Sequence, residues 1–233
     1  MERVGKEYLD LSPTDRLLDV NAQWGDLAVY LAHEFHVPTC AIVATSSQLA
    51  HATNLTGESQ AQRFLRFVTG DYRAIGQCLP PGIPPFTKAV AFDTLDTIGP
   101  RNIPAFLRSV NEVLESGGRI RGEEEWAEHW WYHLFRLRYI QPGSDTSAFV
   151  SIEQVMSELQ RAGFDVLQVE SLTTDAALTT AIWCSRLCAA KRQIEMELGE
   201  EAYRMWELYL NWTQSLYARS RLHKHFILAV KRA

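Results

Sequence analysis

Arg16-Leu17-Leu18-Asp19-Val20, followed at once by Asn21-Ala22-Gln23-Trp24-Gly25, is the stretch on which the fold turns. A short apolar run ending in an acid suits a buried parallel strand, because a strand covered on both faces reads as a continuous hydrophobic run. From 25 to 35 the residues Leu27, Tyr30, Leu31 and Phe35 recur at helical spacing. Strand, turn and helix in that order open a βαβ unit. The alternation continues. Residues 39–44 read as a second buried strand with a helical pattern resuming at Ser47, 66–71 as a third strand, and 88–93 as a fourth. Residues 104–115 form an amphipathic helix that Gly117-Gly118 stops. The expected class is α/β, a mostly parallel sheet with helices on both faces. Ligands of such sheets bind beyond the carboxyl ends of the strands, and Asp19, Thr45, Asp71 and Asp93 all fall there.

After Gly118 the pattern changes. The fifth strand, 119–122, is brief and charged, and Glu123-Glu124-Glu125 follows, which reads as the acidic first turn of a helix. Residues 126–139 are dense in aromatics, and Pro142-Gly143 breaks the run. A helix is expected over 151–162, with Ser151 as its cap and Gly163 as its stop. An alternating strand over 164–169, helices over 173–195 and 200–219, and a last strand over 225–230 complete the pattern. This predicts one domain over 1–233, with a core of about 12–122 and 163–233 and an aromatic helical cover over about 123–162.

Composition narrows the function classes. The chain has 233 residues, and 23 Lys+Arg against 28 Asp+Glu give a net charge of −5. No basic stripe marks a nucleic-acid surface. Cys40, Cys78, Cys184 and Cys188 lack the CxxC spacing of a zinc site or a disulfide framework. The longest stretch free of charged residues, 37–57, is too polar to span a bilayer, and 1–15 is charged throughout, unlike a signal peptide. A cytoplasmic protein without integral membrane association is expected.

Six motifs carry a resemblance. Residues 17–25 are similar to a cofactor loop D-V/I-G-C-G-W-G, and Ala41-Ile42-Val43-Ala44-Thr45-Ser46-Ser47-Gln48 to G-V-T-L-S-x-x-Q. Gly70-Asp71-Tyr72-Arg73 is similar to x-D-Y-R, and Arg138-Tyr139-Ile140-Gln141-Pro142-Gly143 to K-Y-I-F-P-G-G. Ala162-Gly163-Phe164-Asp165-Val166-Leu167 is similar to A-G-F-E-V-L, and Tyr203-Arg204-Met205-Trp206-Glu207-Leu208-Tyr209-Leu210 to Y-x-R-M-W-x-x-Y-L. In order and spacing they resemble the cyclopropane-fatty-acid synthase family of S-adenosylmethionine (SAM)-dependent methyltransferases. The resemblance implies a class I, Rossmann-like methyltransferase sandwich with extra helices over the substrate side. It implies that Asp19, Trp24, Gly25, Thr45, Gln48 and Asp71 hold SAM, and that an apolar small molecule is the substrate.

The departures from the family pattern fall on its chemistry. Two loop glycines are Asn21 and Gln23, where side chains obstruct close backbone approach or require a positive φ. Asn is better tolerated in that region than Gln. The F-E-H-x-G motif reads Leu95-Asp96-Thr97-Ile98-Gly99, so the glutamate is shortened to Asp96. Glu123 stands at the active-site histidine of L-L-H-T-I, and H-Y-A reads Asp175-Ala176-Ala177. Tyr209 matches a residue of the family's bicarbonate site, which helps remove a proton after methyl transfer. The resemblance implies a cysteine-bearing segment ahead of the first strand, and with Asp19 already ending that strand the segment is expected to be absent. The candidate catalytic residues are therefore Asp96, Glu123, His129, His133 and Tyr209.

Each candidate has a plainer reading. Asp19 ends a strand, and Asp71 can cap the next helix. Glu125, His129 and His133 at i, i+4 and i+8 could face a metal. Without H-E-x-x-H an exposed face or a general base is preferred, and no metal is expected. The aromatics of 126–139 either pack a core or line a tunnel. Three functions stay open. The chain is an active SAM-dependent C-methyltransferase on an unsaturated lipid or polyketide-like molecule. Otherwise it is a repurposed cyclase or isomerase on such a substrate, with SAM binding weakened or lost, which is the favoured reading. The third is a non-catalytic subunit beside a paralogue or a second copy.

Overall fold

The computed structural model describes residue 2 and residues 4–57, 60–127, 130–140 and 150–233, with the side chains of 60, 96, 123–127 and 130 outside that description. Its order is β1 (Leu17–Asp19), α1 (Asp26–Phe35), β2 (Thr39–Val43), α2 (Ser46–Gly57), β3 (Leu65–Thr69), α3 (Ile75–Cys78), β4 (Phe86–Ala91), α4 (Leu95–Ile98) and α5 (Ile103–Val113). It continues through β5 (Leu114–Ala127), α6 (Trp130–Phe135), α7 (Ile152–Arg161), β6 (Phe164–Ser171), α8 (Thr173–Ala189), α9 (Lys191–Leu198), α10 (Glu200–Ala218) and β7 (Leu222–Lys231).

The strands lie in the order β3-β2-β1-β4-β5-β7-β6. Strands β1 to β5 are parallel, and β7 runs antiparallel to β5 and β6. The chain leaves β1 toward one edge and returns to its other side at β4. The crevice between β1 and β4 is therefore the topological switch point, where open α/β sheets bind ligands.

Alternation along each strand divides the core between two faces. Leu18, Ile42, Ala89 and Ile120 point to one face, where Phe106 and Val110 of α5 and Val155 and Leu159 of α7 bury them. Leu17 and Val90 point to the other and meet Leu31 of α1. A separate cluster of Tyr132, Leu216, Tyr217 and Leu222 ties α6 and α10 to the start of β7. Helix α7 begins with the expected cap: Ser151 and Gln154 form a reciprocal capping box. Gly163 follows it at φ 88.

The acidic run is strand, not helix. Strand β5 continues through Glu123-Glu124-Glu125 to Ala127, because β7 offers it an unbroken antiparallel ladder from Arg119↔Val230 to Ala127↔Leu222. That ladder engages the backbone of alternate residues beyond Gly122, where pairing with β4 ends, and its register sets Glu124 opposite His225 and Glu125 opposite Lys224. The expected Glu125-His129-His133 helical stripe therefore does not form, since Glu125 is on β5 and α6 starts at Trp130. The segment 123–162, expected as cover, divides: its first residues belong to the sheet, and α7 packs on the core.

At the exit of β1 the backbone leaves no freedom. Gly25 sits at φ 96, and a Cβ there would stand 2.8 Å from Ala52 Cβ and 2.9 Å from Phe67 Cζ. Gly25→Ala is expected to cost about 2–4 kcal/mol, combining left-handed strain with overpacking. Urea unfolding followed by far-ultraviolet circular dichroism measures this. A loss below about 1 kcal/mol would show that α2 and β3 yield to the added methyl.

Candidate functional site

The turn after β1 carries Asn21 and Gln23 and retains Gly25. Gln23 holds φ 51, a left-handed conformation in which glutamine is strained, and Gly25 then starts α1 as its left-handed N-cap. Asn21 reaches across the switch point: its Nδ2 donates to the carbonyl of Asp93, 3.4 Å away, beyond the end of β4. Asp93 is itself left-handed at φ 46, and its Oδ1 accepts from Lys224 Nζ of β7 at 3.0 Å.

Asp19 lies beneath this turn, 2% exposed, and accepts from the Asn21 backbone N–H at 3.2 Å. Burial pushes its carboxyl up to about 7, and the hydrogen bond opposes this only in part. Trp24 is half exposed and meets His51 edge-on at 5.4 Å. Thr45 and Gln48 form a capping box for α2. Gln48 N–H donates to Thr45 Oγ1, and Gln48 Oε1 accepts from the backbone N–H of Thr45, each at 3.2 Å. Asp71 accepts from the Arg73 backbone N–H at 2.8 Å as the cap of a short 3-10 turn. The Arg73 guanidinium grips both of its carboxylate oxygens and holds its pKa below the ordinary carboxylate range.

A cavity of 770 Å³ opens beside Gln23, Asp93 and Thr97. Its far wall is built by α8 and α10. Asp175, Ala176, Thr179, Thr180 and Trp183 line it from α8, and Trp206, Tyr209, Leu210, Thr213 and Tyr217 from α10. Arg136 and Lys224 also line it, and Arg136 is buried. Tyr209 stacks on the buried Tyr132 with centroids 6.0 Å apart and interplanar angle 7°. The Tyr132 hydroxyl shares a 2.7 Å hydrogen bond with Thr213, fixing α6 against α10.

The structure thus gathers Asp19, Trp24, Gly25, Thr45, Gln48 and Asp71 along the carboxyl edge of β1–β3, and sets Tyr209 in the cavity wall. His133 stands outside that wall, and its pKa is lowered by burial and then by the Arg136 charge. Glu123 is in β5 and Asp96 in α4, with side chains outside the description, and His129 lies outside the described residues. Sequence reasoning did not single out Arg136, Thr180, Trp183, Thr213 or Lys224 as site residues. A signal was present on α8 and α10: 175, 176, 179, 180 and 183, and 206, 209, 210, 213 and 217, each follow i, i+3, i+4 spacing along one face. Among the described residues, no three or more His, Cys, Asp or Glu are grouped to hold a metal, and no helix is long and apolar enough to cross a membrane.

The strand order, the switch-point crevice and the edge residues define a Rossmann-like fold of the class I methyltransferase type. Residues 3–226 match the family model described as mycolic acid cyclopropane synthetase, and the chain belongs to that family. Sphingolipid C9-methyltransferase A of Emericella nidulans is 27% identical over 216 residues, covering 89% of this chain and 40% of that protein. The chain therefore spans less than half the length of this curated relative. The crystal structure of a mycolic acid cyclopropane synthase complexed with SAH and CTAB superposes with TM-score 0.86 at 20% identity, over 98% of this chain and 82% of that one. The crystal structure of the cyclase SpnF superposes with TM-score 0.75 at 21% identity, over 98% of this chain and 78% of that one.

Asp19 makes the fold sensitive to pH in a defined direction. Its pKa is raised on folding, so its charged form opposes folding: the penalty is absent below about pH 4 and complete above about 7. Asp19→Asn keeps the acceptor for Asn21 and removes the charge. The variant is expected to gain stability over the parent as pH rises through this window, by on the order of 4 kcal/mol at most. Denaturant titrations at pH values bracketing the window measure this, and an equal difference at both ends would mean that Asp19 does not titrate there.

Proposed function

We propose that this chain binds SAM at the carboxyl edge of β1–β3 and an unsaturated lipid in the adjoining cavity, with methyl transfer altered from its family's pattern. The observation that carries this reading is the meeting of the two sites. The 770 Å³ cavity is lined by Gln23 of the β1 turn and Asp93 beyond β4 on one side, and by Trp183, Trp206, Tyr209 and Leu210 on the other. The family supports SAM as the cofactor, and the sphingolipid relative supports a lipid substrate.

The residues present fit such a cofactor. Gln23 and Gly25 keep the left-handed turn, Gly25 lets α1 start against α2 and β3, and the first N–H groups of α1 face the same edge. Asp19, Trp24, Gly25, Thr45, Gln48 and Asp71 would hold SAM, which when bound supplies an electrophilic methyl group to a carbon–carbon double bond. The chain's own part is to hold the double bond in line and exclude water, so catalysis rests on proximity and orientation. A proton is then removed, and Tyr209, the match to the family's bicarbonate-site tyrosine, lines the cavity together with the carboxylates Asp93 and Asp175. Thr97 stands at the family's histidine and lacks its basic nitrogen; its hydroxyl donates to the carbonyl of Thr94 at 2.8 Å.

A second reading, a cyclase or isomerase that dispenses with methyl transfer, is favoured by the Asn21 side chain, which bridges the crevice to Asp93. Calorimetric titration with SAM separates the two. Binding in the micromolar range, weakened about tenfold by Asp71→Ala as expected for loss of a charge-assisted hydrogen bond, supports the first. No binding at millimolar SAM overturns it. Affinity that emerges only in the Asn21→Gly/Gln23→Gly double variant assigns the natural turn to the second reading, or to a non-catalytic subunit where no polyene substrate is turned over.

A further inference from the structure

We infer that Asp175 is the base that takes the proton released after methyl transfer, a carboxylate of the chain itself in the place of a bound bicarbonate. This rests on the SAM-and-lipid reading above and adds to it a catalytic residue. Asp175 lies in the first turn of α8, where the helix dipole favours negative charge, and its accessible side chain lines the 770 Å³ cavity. Position 175 is histidine in the family's H-Y-A, so this carboxylate is the chain's own and not part of the family pattern.

The start of α8 is pinned to the switch point. Leu172 N–H donates to the Lys224 carbonyl at 2.7 Å, and Lys224 N–H donates to Thr173 Oγ1 at 3.2 Å. The Lys224 ammonium in turn reaches Asp93 Oδ1 at 3.0 Å, and the Asp93 carbonyl accepts from Asn21 of the β1 turn. Two residues beyond Thr173, Asp175 therefore enters the cavity wall at the side where β1 and β4 end, the side at which a methyl group is delivered. Among the described residues, the carboxylates that line the cavity are Asp93 and Asp175. Lys224 neutralises Asp93, whereas Asp175 makes no hydrogen bond or ion pair with any described residue. The Tyr209 phenol already carries its proton, while an ionised carboxylate only accepts.

The step balances without a further reactant. When one carbon of a double bond takes up the methyl group, the other is left positively charged. A C–H bond then breaks, and its proton passes to a carboxylate oxygen of Asp175. The electron pair of that bond forms a new double bond beside the charge or, if the bond is on the methyl group, closes a three-membered ring. The carboxyl group afterwards yields the proton to water. Before that, its negative charge stabilises the developing cation.

The first test is binding to the whole chain without cofactor, followed by tryptophan fluorescence with Trp183 in the same wall. The probes are didecyldimethylammonium, whose charge sits in mid-chain like the cationic carbon, and didecyldimethylsilane, its uncharged isostere. Asp175→Asn is expected to weaken the ammonium about five- to tenfold and to leave the silane within about twofold. The second test is turnover of dioleoylphosphatidylglycerol vesicles with SAM in bicarbonate-free buffer. The parent rate is expected to be unchanged when bicarbonate is added. Asp175→Ala is expected to lose about a hundredfold in kcat with KM for the lipid nearly unchanged, and formate to restore part of it.

Equal effects of Asp175→Asn on ammonium and silane would overturn the inference. So would a parent rate that depends on added bicarbonate, or an Asp175→Ala variant with the parent's kcat. If neither probe binds, or the parent transfers no methyl group, the SAM-and-lipid reading itself falls. If both probes bind and methyl is transferred while the Asp175 variants match the parent, only the role of Asp175 falls.

Discussion

Two backbone hydrogen bonds at the exit of β1 set the geometry on which the rest depends. Val20 N–H donates to Val90 O of β4 at 3.0 Å, and Ala22 N–H donates to Ile42 O of β2 at 2.8 Å. The strand between them has only three residues, each 0–2% exposed and paired on both sides. A buried backbone group without a partner is costly, so this turn cannot shift toward either neighbour without breaking a bond. The chain beyond it is forced to climb sharply, which it does through Gln23 and Gly25 in left-handed conformations. The position of α1, the burial of Asp19 and the reach of Asn21 toward Asp93 all follow from that climb.

The same constraint explains why a damaged loop motif coexists with an intact fold. Glycine is needed at Gly25, where an added carbon would strike Ala52 and Phe67. At Gln23 the backbone conformation alone favours glycine, and its side chain has the cavity to enter. A glycine position whose Cβ meets backbone or core is fixed by packing, whereas one that faces a cavity can take a side chain at the cost of local strain. The substituted glycines lie at the ligand-facing edge, so their loss touches the site without touching the core.

Strands β1, β2 and β4 were legible because each is largely buried and reads as an apolar run bounded by a turn. Strand β3 is an edge strand with no fully buried residue, and was legible from its apolar pair Phe67-Val68 ahead of Gly70-Asp71. Leu17–Asp19 and Thr39–Val43 are covered on both faces, and nothing but a central parallel strand places such runs between helices. The second half of β5 was not legible. Its three glutamates have poor strand propensity and suit a helix start, and only a non-local pairing with β7, about a hundred residues later, overrides that local preference. The edge residues Thr45, Gln48 and Asp71 were legible as motif positions, yet the geometry gives them a structural task as well. Thr45 and Gln48 close the N-terminus of α2 upon each other, and Asp71 is gripped by Arg73. These groups keep the edge rigid, and a ligand there would meet preorganised oxygens and not mobile ones.

The cavity wall escaped a search for hydrophobic periodicity for a physical reason. The inner stripe of α8 is Asp175, Ala176, Thr179, Thr180 and Trp183, which is polar and small where a core-facing stripe would be large and apolar. Two helices that faced each other through large apolar residues would interdigitate and leave no room. Helices α8 and α10 instead face the cavity through small α8 residues, with the aromatics Trp183, Trp206 and Tyr209 around them. Thr180 and Thr213 turn their hydroxyls back to the carbonyls of Ala176 and Tyr209 and so present methyl groups. Much of the wall is therefore less polar than its composition. Charged and polar groups remain in that wall at Asp93, Arg136, Asp175 and Lys224 as well as Gln23, so a ligand that fills the cavity meets both apolar and polar surface.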